Sequence, residues 1–325
     1  MRAALYRRPG PPADVLQVVD IERPEPGPGQ VRVRVVASGI NPTDWKTVAG
    51  LTDRTPDEFQ IPHHDGAGVV DALGDGVIGP VVGQRVWTHL AAFGNRYGTA
   101  AEYAILPAER IAPLPDHASY ALGASLGVPA LTAAHCLGGD PDALMGRTVL
   151  VAGGAGAVGH FAIQLAKHAG ATVVSTVSSP AKAELARHAG ADTVIDYTKE
   201  DVAAQVLATT GPVDRVVEVA FGTNLDLDLR VLAQPGTIAT YAAQGDVAVP
   251  AGRLMAANTT LVFALLYGLT DGQLAAAGRW TTEALEARSL TELPVLRYDL
   301  DQIVQAHERA AEGPVGKVIV DVADH

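Results

Sequence analysis

The feature that most constrains the fold is a short apolar segment that runs into a glycine-rich turn. Residues 148–152 read Thr-Val-Leu-Val-Ala, and glycines follow in the pattern Gly-x-Gly-x-x-Gly at Gly154, Gly156 and Gly159. The residues after this turn carry small and apolar side chains at helical spacing. A strand, a glycine turn and a helix in this order are typical of a dinucleotide-binding unit, in which the helix N-terminus faces a pyrophosphate.

The residues after the next expected strand, 172–177, indicate which dinucleotide binds. NAD sites usually place an acidic residue about 20 residues after the first glycine, where it holds the ribose 2′-hydroxyl. Here no Asp or Glu occurs between His160 and Ala183. Ser178 and Lys182 follow the strand instead, and a hydroxyl and a cation suit a 2′-phosphate. The same serine segment could also cap the next helix, with Lys182 on its exposed face. Both can hold at once, and we predict NADPH in preference to NADH.

Composition excludes several other classes of protein. The chain has 325 residues, enough for two domains, and a formal net charge of −12, which argues against nucleic acid or an anionic membrane as a partner. The single cysteine, Cys136, excludes an internal disulfide and a zinc site built from several cysteines. Residues 1–6 read as a strand rather than as a signal peptide, and the most apolar stretch, 121–139, is interrupted by Pro129. We therefore expect a cytoplasmic protein without a membrane span.

The character of the sequence changes twice along the chain. Residues 1–118 read as short strands and Gly-Pro turns, typical of a mostly β domain. Residues 119–266 alternate strands and helices, as in a doubly wound parallel sheet. The six expected strands are 148–152, 172–177, 192–197, 213–219, 236–241 and 259–265. Residues 267–325 should complete the first domain. The elements expected there are a strand near 294–298, a helix near 301–312 and a strand at 317–321. We predict an α/β protein of two domains, with a cleft in which a cofactor and a substrate could meet.

Several short motifs in one order carry a family resemblance. They are Gly39-Ile40-Asn41-Pro42-Thr43-Asp44-Trp45-Lys46, Asp65-Gly66-Ala67-Gly68-Val69-Val70, Gly83-Gln84-Arg85-Val86, Gly98-Thr99-Ala100-Ala101-Glu102-Tyr103, Pro129-Ala130-Leu131-Thr132-Ala133, the turn from Gly154 to Gly159, Gly190-Ala191-Asp192 and Gly316-Lys317. Over nearly its whole length the chain resembles the medium-chain dehydrogenase/reductase superfamily. Within it, the chain looks most like the zinc-free quinone oxidoreductases, the zeta-crystallin-like family. The resemblance implies a GroES-like, mostly β catalytic domain and a Rossmann domain.

The resemblance also bears on metal chemistry. Zinc-dependent members of the superfamily carry a metal-binding cysteine at the position of Asn41, and Gly-His-Glu where this chain has His63-His64-Asp65. Histidine and aspartate can bind zinc. However, three adjacent residues on one strand would point to alternating faces and could not converge on one ion. We therefore expect no metal. His63 departs from the family, which usually has glycine there.

A site without a Lewis acid suits acceptors that take hydride readily, such as quinones and other α,β-unsaturated carbonyl compounds. The resemblance implies that NADPH supplies the hydride, and that Asn41 lies beside the nicotinamide and donates its amide N–H to the developing oxyanion. Asp44 and Lys46 are the other candidate catalytic residues. Asp44 could equally be a turn or cap residue, and Lys46 could be a solvated surface lysine.

The family also implies a set of residues that bind NADPH. Thr132 matches a position near the nicotinamide and ribose, although it could be a core threonine satisfied by its own helix. Ser178, Lys182 and Tyr197 match positions that contact the adenosine phosphate. The full expected set is Thr132, Gly154, Gly156, Ala157, Val158, Gly159, Ser178, Lys182, Tyr197 and Lys317. The loops at about 43–60 and 244–270 should shape the substrate pocket.

Two other functions stay open on the sequence alone. An enoyl reductase acting on CoA or carrier-protein thioesters would need a basic patch, for which Arg253 and Arg279 are the candidates. A low-turnover NADPH-binding protein with a structural or sensory role is the other. For the assembly we expect a homodimer, because the apolar strand at 260–266 should end the parallel sheet, and an exposed apolar edge needs cover.

Overall fold

The structure, a computed structural model, describes residues 1–242 and 245–323. It divides the chain into two compact units. The first unit comprises Met1–Val128 and Pro294–His325, and the second comprises Pro129–Leu293. The expected domain boundaries, 118 and 267, both lie earlier in the chain than the observed ones. At the second boundary the difference arises because the residues that follow a long helix contact the second unit, where Gln164 donates a hydrogen bond to Thr291 Oγ1 at 2.6 Å.

The first unit begins as a mostly antiparallel β structure. Its strands before residue 128 are β1 Arg2–Leu5, β2 Gln17–Asp20, β3 Gln30–Gly39, β4 Asp65–Leu73, β5 Arg85–Thr88, β6 Tyr103–Pro107 and β7 Ile111–Pro113. Two short helices, α1 Pro12–Val15 and α2 Pro42–Val48, lie between strands, and α3 Tyr120–Cys136 follows them. The central strand is β3, which pairs with both β4 and β6. Its alternating valines Val31, Val33 and Val35 are fully buried, as the period of two of a strand requires.

The second unit alternates strands and helices in the predicted manner. Its elements are β8 Thr148–Ala152, α4 Ala157–His168, β9 Thr172–Val177, α5 Pro180–His188, β10 Thr193–Asp196, α6 Val202–Thr209, β11 Val213–Glu218, α7 Phe221–Val231, β12 Leu232–Thr240, α8 Ala251–Ala256, β13 Thr260–Phe263 and α9 Asp271–Glu286. The six strands are parallel and lie in the order β10-β9-β8-β11-β12-β13. This is the strand order of the doubly wound dinucleotide-binding fold, which confirms the predicted fold class. Gln244, where the expected pocket loop 244–270 begins, lies outside the described residues.

The C-terminal segment returns to the first unit, as the sequence predicts. It comprises β14 Val295–Asp299, α10 Ile303–Ala311 and β15 Lys317–Asp321. β15 pairs antiparallel with β3, with Ile319 opposite Gly39, and β14 pairs parallel with β15. Apolar side chains of this segment, Ile303 and Val318 among them, join one core with residues from β1 and α2. Burial of this shared core ties the two ends of the chain together.

None of the helices in the part of the chain that the structure describes is both long and apolar enough to cross a membrane.

Candidate active site

Asn41 lies at the N-cap of α2, directly after β3. Pro42 takes the first helical position, where its missing N–H is not needed. Asp44, in the first turn, accepts a hydrogen bond of 2.7 Å from the backbone N–H of Asn41. The carboxylate of Asp44 thus caps the start of the helix and fixes the backbone of Asn41. The side-chain amide of Asn41 is directed to other partners.

The side-chain amide of Asn41 lies between two buried charged residues. Its Nδ2 donates to Asp65 Oδ2 at 2.7 Å, and its Oδ1 accepts from Lys317 Nζ at 2.6 Å. The exposed fractions of Asn41, Asp65 and Lys317 are 2%, 0% and 4%. Because the donor end of the amide faces an anion and the acceptor end a cation, the two contacts fix the amide orientation. Among the described residues, Asp65 is the one hydrogen-bond partner of Asn41 Nδ2. The second N–H of Nδ2 can therefore donate to an oxygen of a bound molecule.

Asp65 and Lys317, the charged residues on either side of the Asn41 amide, each stabilise the charged form of the other. Burial raises the pKa of Asp65, while Lys317, whose Nζ lies 3.7 Å from Asp65 Oδ2, opposes that rise. Burial likewise lowers the pKa of Lys317, and Asp65 and Asp44 oppose it. The other carboxylate oxygen, Asp65 Oδ1, accepts from the backbone N–H of Val128 at 2.8 Å. Removal of either charge would leave its partner buried without compensation, which is strongly unfavourable.

The other two candidate catalytic residues have different surroundings. Asp44 is buried, and besides Asn41 it accepts from the backbone N–H of His64 at 3.2 Å. Burial, with a smaller effect of the Asp65 charge, raises the pKa of Asp44 to about 8. Lys46 is exposed, and its ammonium lies 5.6 Å from the ring centre of Trp45. The structure therefore places Asp44 beside Asn41 as a helix-capping residue, and Lys46 at the surface. Their catalytic roles stay predictions.

His63 has an unusual backbone conformation. Its φ angle is 78°, in the left-handed region that favours glycine. This is a physical reason for the glycine that the family usually has at this position. His63 and His64 precede β4, which begins at Asp65, so the expectation that all three residues lie on one strand is wrong. The argument from alternating strand faces therefore does not apply here.

Hydrogen bonds to hydroxyl groups determine the tautomer of His63. Thr99 Oγ1 donates its one hydrogen to the carbonyl of Asp65, so it must accept from Ser38 Oγ, 2.7 Å away. Because the one hydroxyl hydrogen of Ser38 is used in this bond, Ser38 Oγ accepts a hydrogen bond from His63 Nδ1 at 2.8 Å. A neutral His63 has Nε2 as an acceptor, and His307 Nε2 lies 2.9 Å from it. His307 therefore carries its proton on Nε2.

Both histidines are neutral in this arrangement. Burial lowers the pKa of His63 well below its usual value and lowers that of His307 to about 3. Their ring planes are nearly parallel, inclined by 23°, and the ring centres are 5.0 Å apart. The pair links α10 to the segment before β4, and it contributes hydrogen bonds that offset the strained backbone of His63.

The side chains of His63 and Asp65 are not arranged to bind a zinc ion. Both nitrogens of His63 are occupied by Ser38 and His307, and both carboxylate oxygens of Asp65 by Asn41 and Val128. Within residues 1–242 and 245–323 no three His, Cys, Asp or Glu side chains group as a metal site. Zinc ligands in proteins present free lone pairs to one centre, and these side chains are directed at other protein groups.

In the second unit, the glycine turn between β8 and α4 has little room for side chains. A Cβ on Gly154 would lie 2.0 Å from Ser175 Oγ, and a Cβ on Gly159 would lie 2.4 Å from the carbonyl oxygen of Gly153. Gly153 itself has a φ of +69°. The sequence motif named the two crowded glycines correctly. It did not identify Gly153, which precedes the motif and bears the left-handed turn.

The start of α4 presents backbone N–H groups for an anion. Gly156 is the exposed N-cap residue, and Ala157 and Val158, which begin the helix, are half-buried. The first N–H groups of a helix have no partner within it and carry partial positive charge. The turn and helix therefore fit the pyrophosphate of a dinucleotide.

The residues expected to hold a 2′-phosphate are brought together. Lys182 Nζ donates to Ser178 Oγ at 2.9 Å, and the backbone N–H of Lys182 lies 3.4 Å from Ser179 Oγ. Ser179 is the N-cap of α5, so the capping serine is 179 and not 178. Tyr197 is exposed, and its backbone N–H donates to the carbonyl of Val177 at 3.1 Å. The end of β9 thus presents a hydroxyl and a cation in contact, and the Tyr197 backbone is hydrogen-bonded to that strand.

Two expected cofactor-binding residues lie elsewhere. Thr132 is buried in α3, and its role stays a prediction. Lys317 is in the first unit, where its ammonium contacts Asn41 and Asp65. The sequence analysis considered Asp65 only as a zinc ligand, and it did not identify His307. Asp65 could have been found from its position in the motif that aligns with zinc ligands, whereas nothing in the sequence around His307 indicates its contact.

Comparisons with known proteins show the family to which the chain belongs. Residues 27–116 match the family model of the alcohol dehydrogenase GroES-like domain, and residues 157–283 match that of the zinc-binding dehydrogenases. Together these two matches cover most of the chain. The chain belongs to the medium-chain dehydrogenase/reductase superfamily and, within it, to the quinone oxidoreductase family.

Particular relatives are similar along most of their length. The quinone oxidoreductase of Rattus norvegicus is 28% identical over 324 residues, 98% of this chain and 97% of its own. The 2-haloacrylate reductase of a Burkholderia species is 33% identical over 257 residues, 77% of this chain and 75% of its own. A mycobacterial protein solved as a complex with NADPH is 32% identical with a TM-score of 0.82, and the match covers 98% of this chain and 99% of that one.

Proposed function

We propose that this protein is an NADPH-dependent oxidoreductase that reduces quinones and other α,β-unsaturated carbonyl compounds without a metal ion. The observation that carries the proposal is the buried Asn41 amide, oriented by Asp65 and Lys317, with one N–H left for a substrate oxygen. The names of the relatives support this acceptor class, because quinones and haloacrylates both contain a conjugated double bond.

NADPH is the cofactor that the second unit fits. The mycobacterial and Escherichia coli relatives solved with NADPH support this choice. The bound cofactor would supply a hydride to the acceptor. The Gly156 turn and the start of α4 would hold the pyrophosphate, and the pair of Ser178 and Lys182 would hold the 2′-phosphate.

The role proposed for Asn41 follows from its contacts. Addition of a hydride to an enone or quinone leaves negative charge on the carbonyl oxygen, and a fixed N–H donor stabilises that charge without reorganisation. The ammonium of Lys317 on Oδ1 withdraws electron density from the amide, so it strengthens the remaining N–H as a donor. Asp65 and Lys317 are positioning residues in this scheme, and Asp44 holds the backbone of Asn41.

The thioester alternative receives less support. Arg253, one of the two basic residues that could hold a carrier phosphate, lies 3.2 Å from Asp226 in an ion pair. An exposed ion pair of this kind is weak, but it reduces the positive charge available to the phosphate of a carrier.

The test is NADPH oxidation with a simple benzoquinone after dialysis against a chelator. We expect turnover to survive the dialysis. Asn41→Asp, which keeps the shape and removes both N–H donors, should lower kcat by about a hundredfold or more. Asn258→Asp, in the turn between α8 and β13, is a control for the same chemical change. Absence of NADPH oxidation with every quinone and enone would overturn the function. Activity that is lost on chelation and restored only by zinc would overturn the metal-free mechanism.

A further inference from the structure

An acidic residue interrupts the buried face of α7 in the second unit. The buried residues of this helix are Phe221, Leu225, Asp228 and Val231, and their helical spacing is that of a face packed on a core. The exposed fraction of Asp228 is 0%, and neither of its carboxyl oxygens has a hydrogen-bond partner among the described residues. A buried carboxylate without a donor is strongly unfavourable, so this carboxyl group keeps its proton at neutral pH.

Glu218, the last residue of β11, is a second buried carboxyl group beside α7. Its exposed fraction is 0%, and its Oε1 accepts hydrogen bonds from the backbone N–H of Ala220 and from Asn224 Nδ2. Burial raises the pKa of Glu218, and these donors oppose the rise. Burial, and to a smaller extent the negative charge of Glu218, raises the pKa of Asp228 to about 8. Glu218 and Asp228, the acid pair, therefore hold one proton at neutral pH.

Within the described part of the chain, no cation is among the groups that act on the pKa of either member of the acid pair. The neighbouring elements α6, β8 and β12 carry no ionisable side chain. Burial raises the pKa of Tyr241, which follows β12, so Tyr241 is neutral. Asp246, in the loop beside Gly222, is exposed. The other charged residues of β11 and α7 have partners of their own, which are Arg147 for Asp214, the carbonyl of Cys136 for Arg215, Arg253 for Asp226 and Asp201 for Arg230.

The acid pair lies near the edge of the sheet at which a cofactor binds. The chain order of the strands reverses between β8 and β11, and doubly wound sheets hold ligands at such a reversal. Glu218 ends β11, and the next residue, Val219, lies against the glycine turn that follows β8. A Cβ on Gly153 would be 3.3 Å from Val219 Cγ1. Because Glu218 accepts from the backbone N–H of Ala220, it fixes the turn 219–220 beside the glycine turn.

We propose that the acid pair retains one proton and that this proton is required for tight binding of NADPH. Its loss leaves two negative charges buried together, and their repulsion is relieved only if the turn 219–220 moves towards water. Val219 then no longer packs against Gly153, and the added negative charge opposes the phosphates of the cofactor. NADPH affinity therefore falls in alkaline solution. By reciprocity, bound NADPH makes the acid pair hold its proton more tightly. The inference concerns cofactor binding and is independent of the acceptor.

The first test is a titration of the protein with NADPH at several pH values. Between about pH 7 and about pH 9 the dissociation constant of the wild type should rise by up to about tenfold, which is the limit for one proton with a pKa of about 8. Asp228→Asn keeps the shape of the side chain and removes the titrating group, so its dissociation constant should change by less than about twofold. An equally large rise in Asp228→Asn would overturn the proposal.

Two further variants control this result. Asp226 lies on the same helix, but its side chain is 91% exposed and paired with Arg253, so Asp226→Asn should keep the wild-type dependence on pH. Loss of that dependence in Asp226→Asn would show a general effect of charge on α7 and would overturn the role of the acid pair. Asp228→Leu restores an apolar residue to the buried face, and it should show the same weak pH dependence as Asp228→Asn.

Denaturant unfolding tests the acid pair without the cofactor. Because the pKa of Asp228 is raised in the folded protein, the folded chain binds more protons than the unfolded chain between about pH 4 and about pH 8. The unfolding free energy of the wild type should therefore fall more steeply than that of Asp228→Asn as the pH rises from about 6.5 to about 8, above the range in which His63 and His307 titrate.

The two measurements separate the parts of the proposal. Equal unfolding slopes in the wild type and Asp228→Asn would show that Asp228 holds no proton, and the proposal would fail. Different slopes together with an NADPH affinity that does not depend on pH would overturn the coupling to the cofactor. Neither measurement uses an acceptor, so both decide the proposal even if the protein reduces no quinone or enone.

Discussion

The two units present their functional residues in different ways. In the second unit the contact between Lys182 and Ser178 joins residues four positions apart. In the first unit Lys317 contacts Asn41 from 276 positions away, and His307 contacts His63 from 244 positions away. The nucleotide-binding features are built from neighbouring residues of consecutive elements. The polar centre of the first unit, which comprises Asn41, Asp65, Lys317, His63 and His307, forms only when the C-terminal segment has paired with β3.

This difference predicts different responses to mutation. A change at Ser178 or Lys182 should alter cofactor affinity with little effect on folding, since their contact is local and half-exposed. A change in the polar centre should alter folding and activity together, because its charges are buried and hold the first and last parts of the chain in one core.

The largest effect is expected for Lys317→Met. It leaves Asp65 buried without its counter-charge and Asn41 Oδ1 without its donor, so the free energy of unfolding should fall by about 3–5 kcal/mol. Denaturant unfolding measures this. Lys199→Met, at an exposed lysine paired with Asp196, should stay within about 0.5 kcal/mol of the wild type.

A second variant sharpens that result. Asp65→Asn combined with Lys317→Met removes both charges, and part of the lost stability should return. If Lys317→Met is no more destabilising than Lys199→Met, the polar centre is not coupled to folding and the contrast between the units fails.

For the second unit, Lys182→Ala should weaken NADPH binding by about 1.5–3 kcal/mol, through loss of a charged contact with the 2′-phosphate. NADH binding and the unfolding free energy should be nearly unchanged. Titration with each cofactor measures the first two quantities. Equal affinities for NADPH and NADH in the wild type would contradict the assignment of this residue.

The histidine pair makes the first unit sensitive to acid. His63 and His307 have lowered pKa values when folded, so the unfolded chain binds more protons once the pH falls below about 6.5. The unfolding free energy should therefore fall as the pH decreases from 6.5 towards 3. Each such group contributes a slope of up to about 1.4 kcal/mol per pH unit.

His307→Leu tests this slope, because it removes one of the titrating groups. Between pH 6 and 4, as an order-of-magnitude window below the usual histidine pKa, its unfolding free energy should depend on pH less steeply than that of the wild type. The same slope in both proteins would show that the pair does not titrate on unfolding.

The smallest effect on folding is expected at the edge of the second sheet. We propose a homodimer through β13, where Phe263 and Leu265, next to the strand end, are each 65% exposed. Val262→Lys should weaken the dimer by placing a charge in the interface. Light scattering is the measurement, and a wild-type mass near 33.6 kDa at micromolar concentration would contradict the dimer.

Much of the second unit was accessible from the sequence. The expected strands 148–152 and 172–177 are observed with the same bounds, and Gly154 and Gly159 occur where a Cβ would collide. These features depend on side-chain period and on steric limits within a short stretch of chain, which a sequence displays directly. The same is true of Asn41 before Pro42, because these two consecutive residues indicate the start of a helix.

The polar centre was accessible only in part. The sequence identified Asn41 and Lys317 separately, by family resemblance. It did not show that Lys317 donates a hydrogen bond to Asn41. The tautomers of His63 and His307 and the buried state of Asp65 depend on which distant residues meet when β15 pairs with β3. Sequence determines local conformation through nearby atoms, whereas pairing and burial of charges depend on long-range packing, which the tertiary structure alone decides.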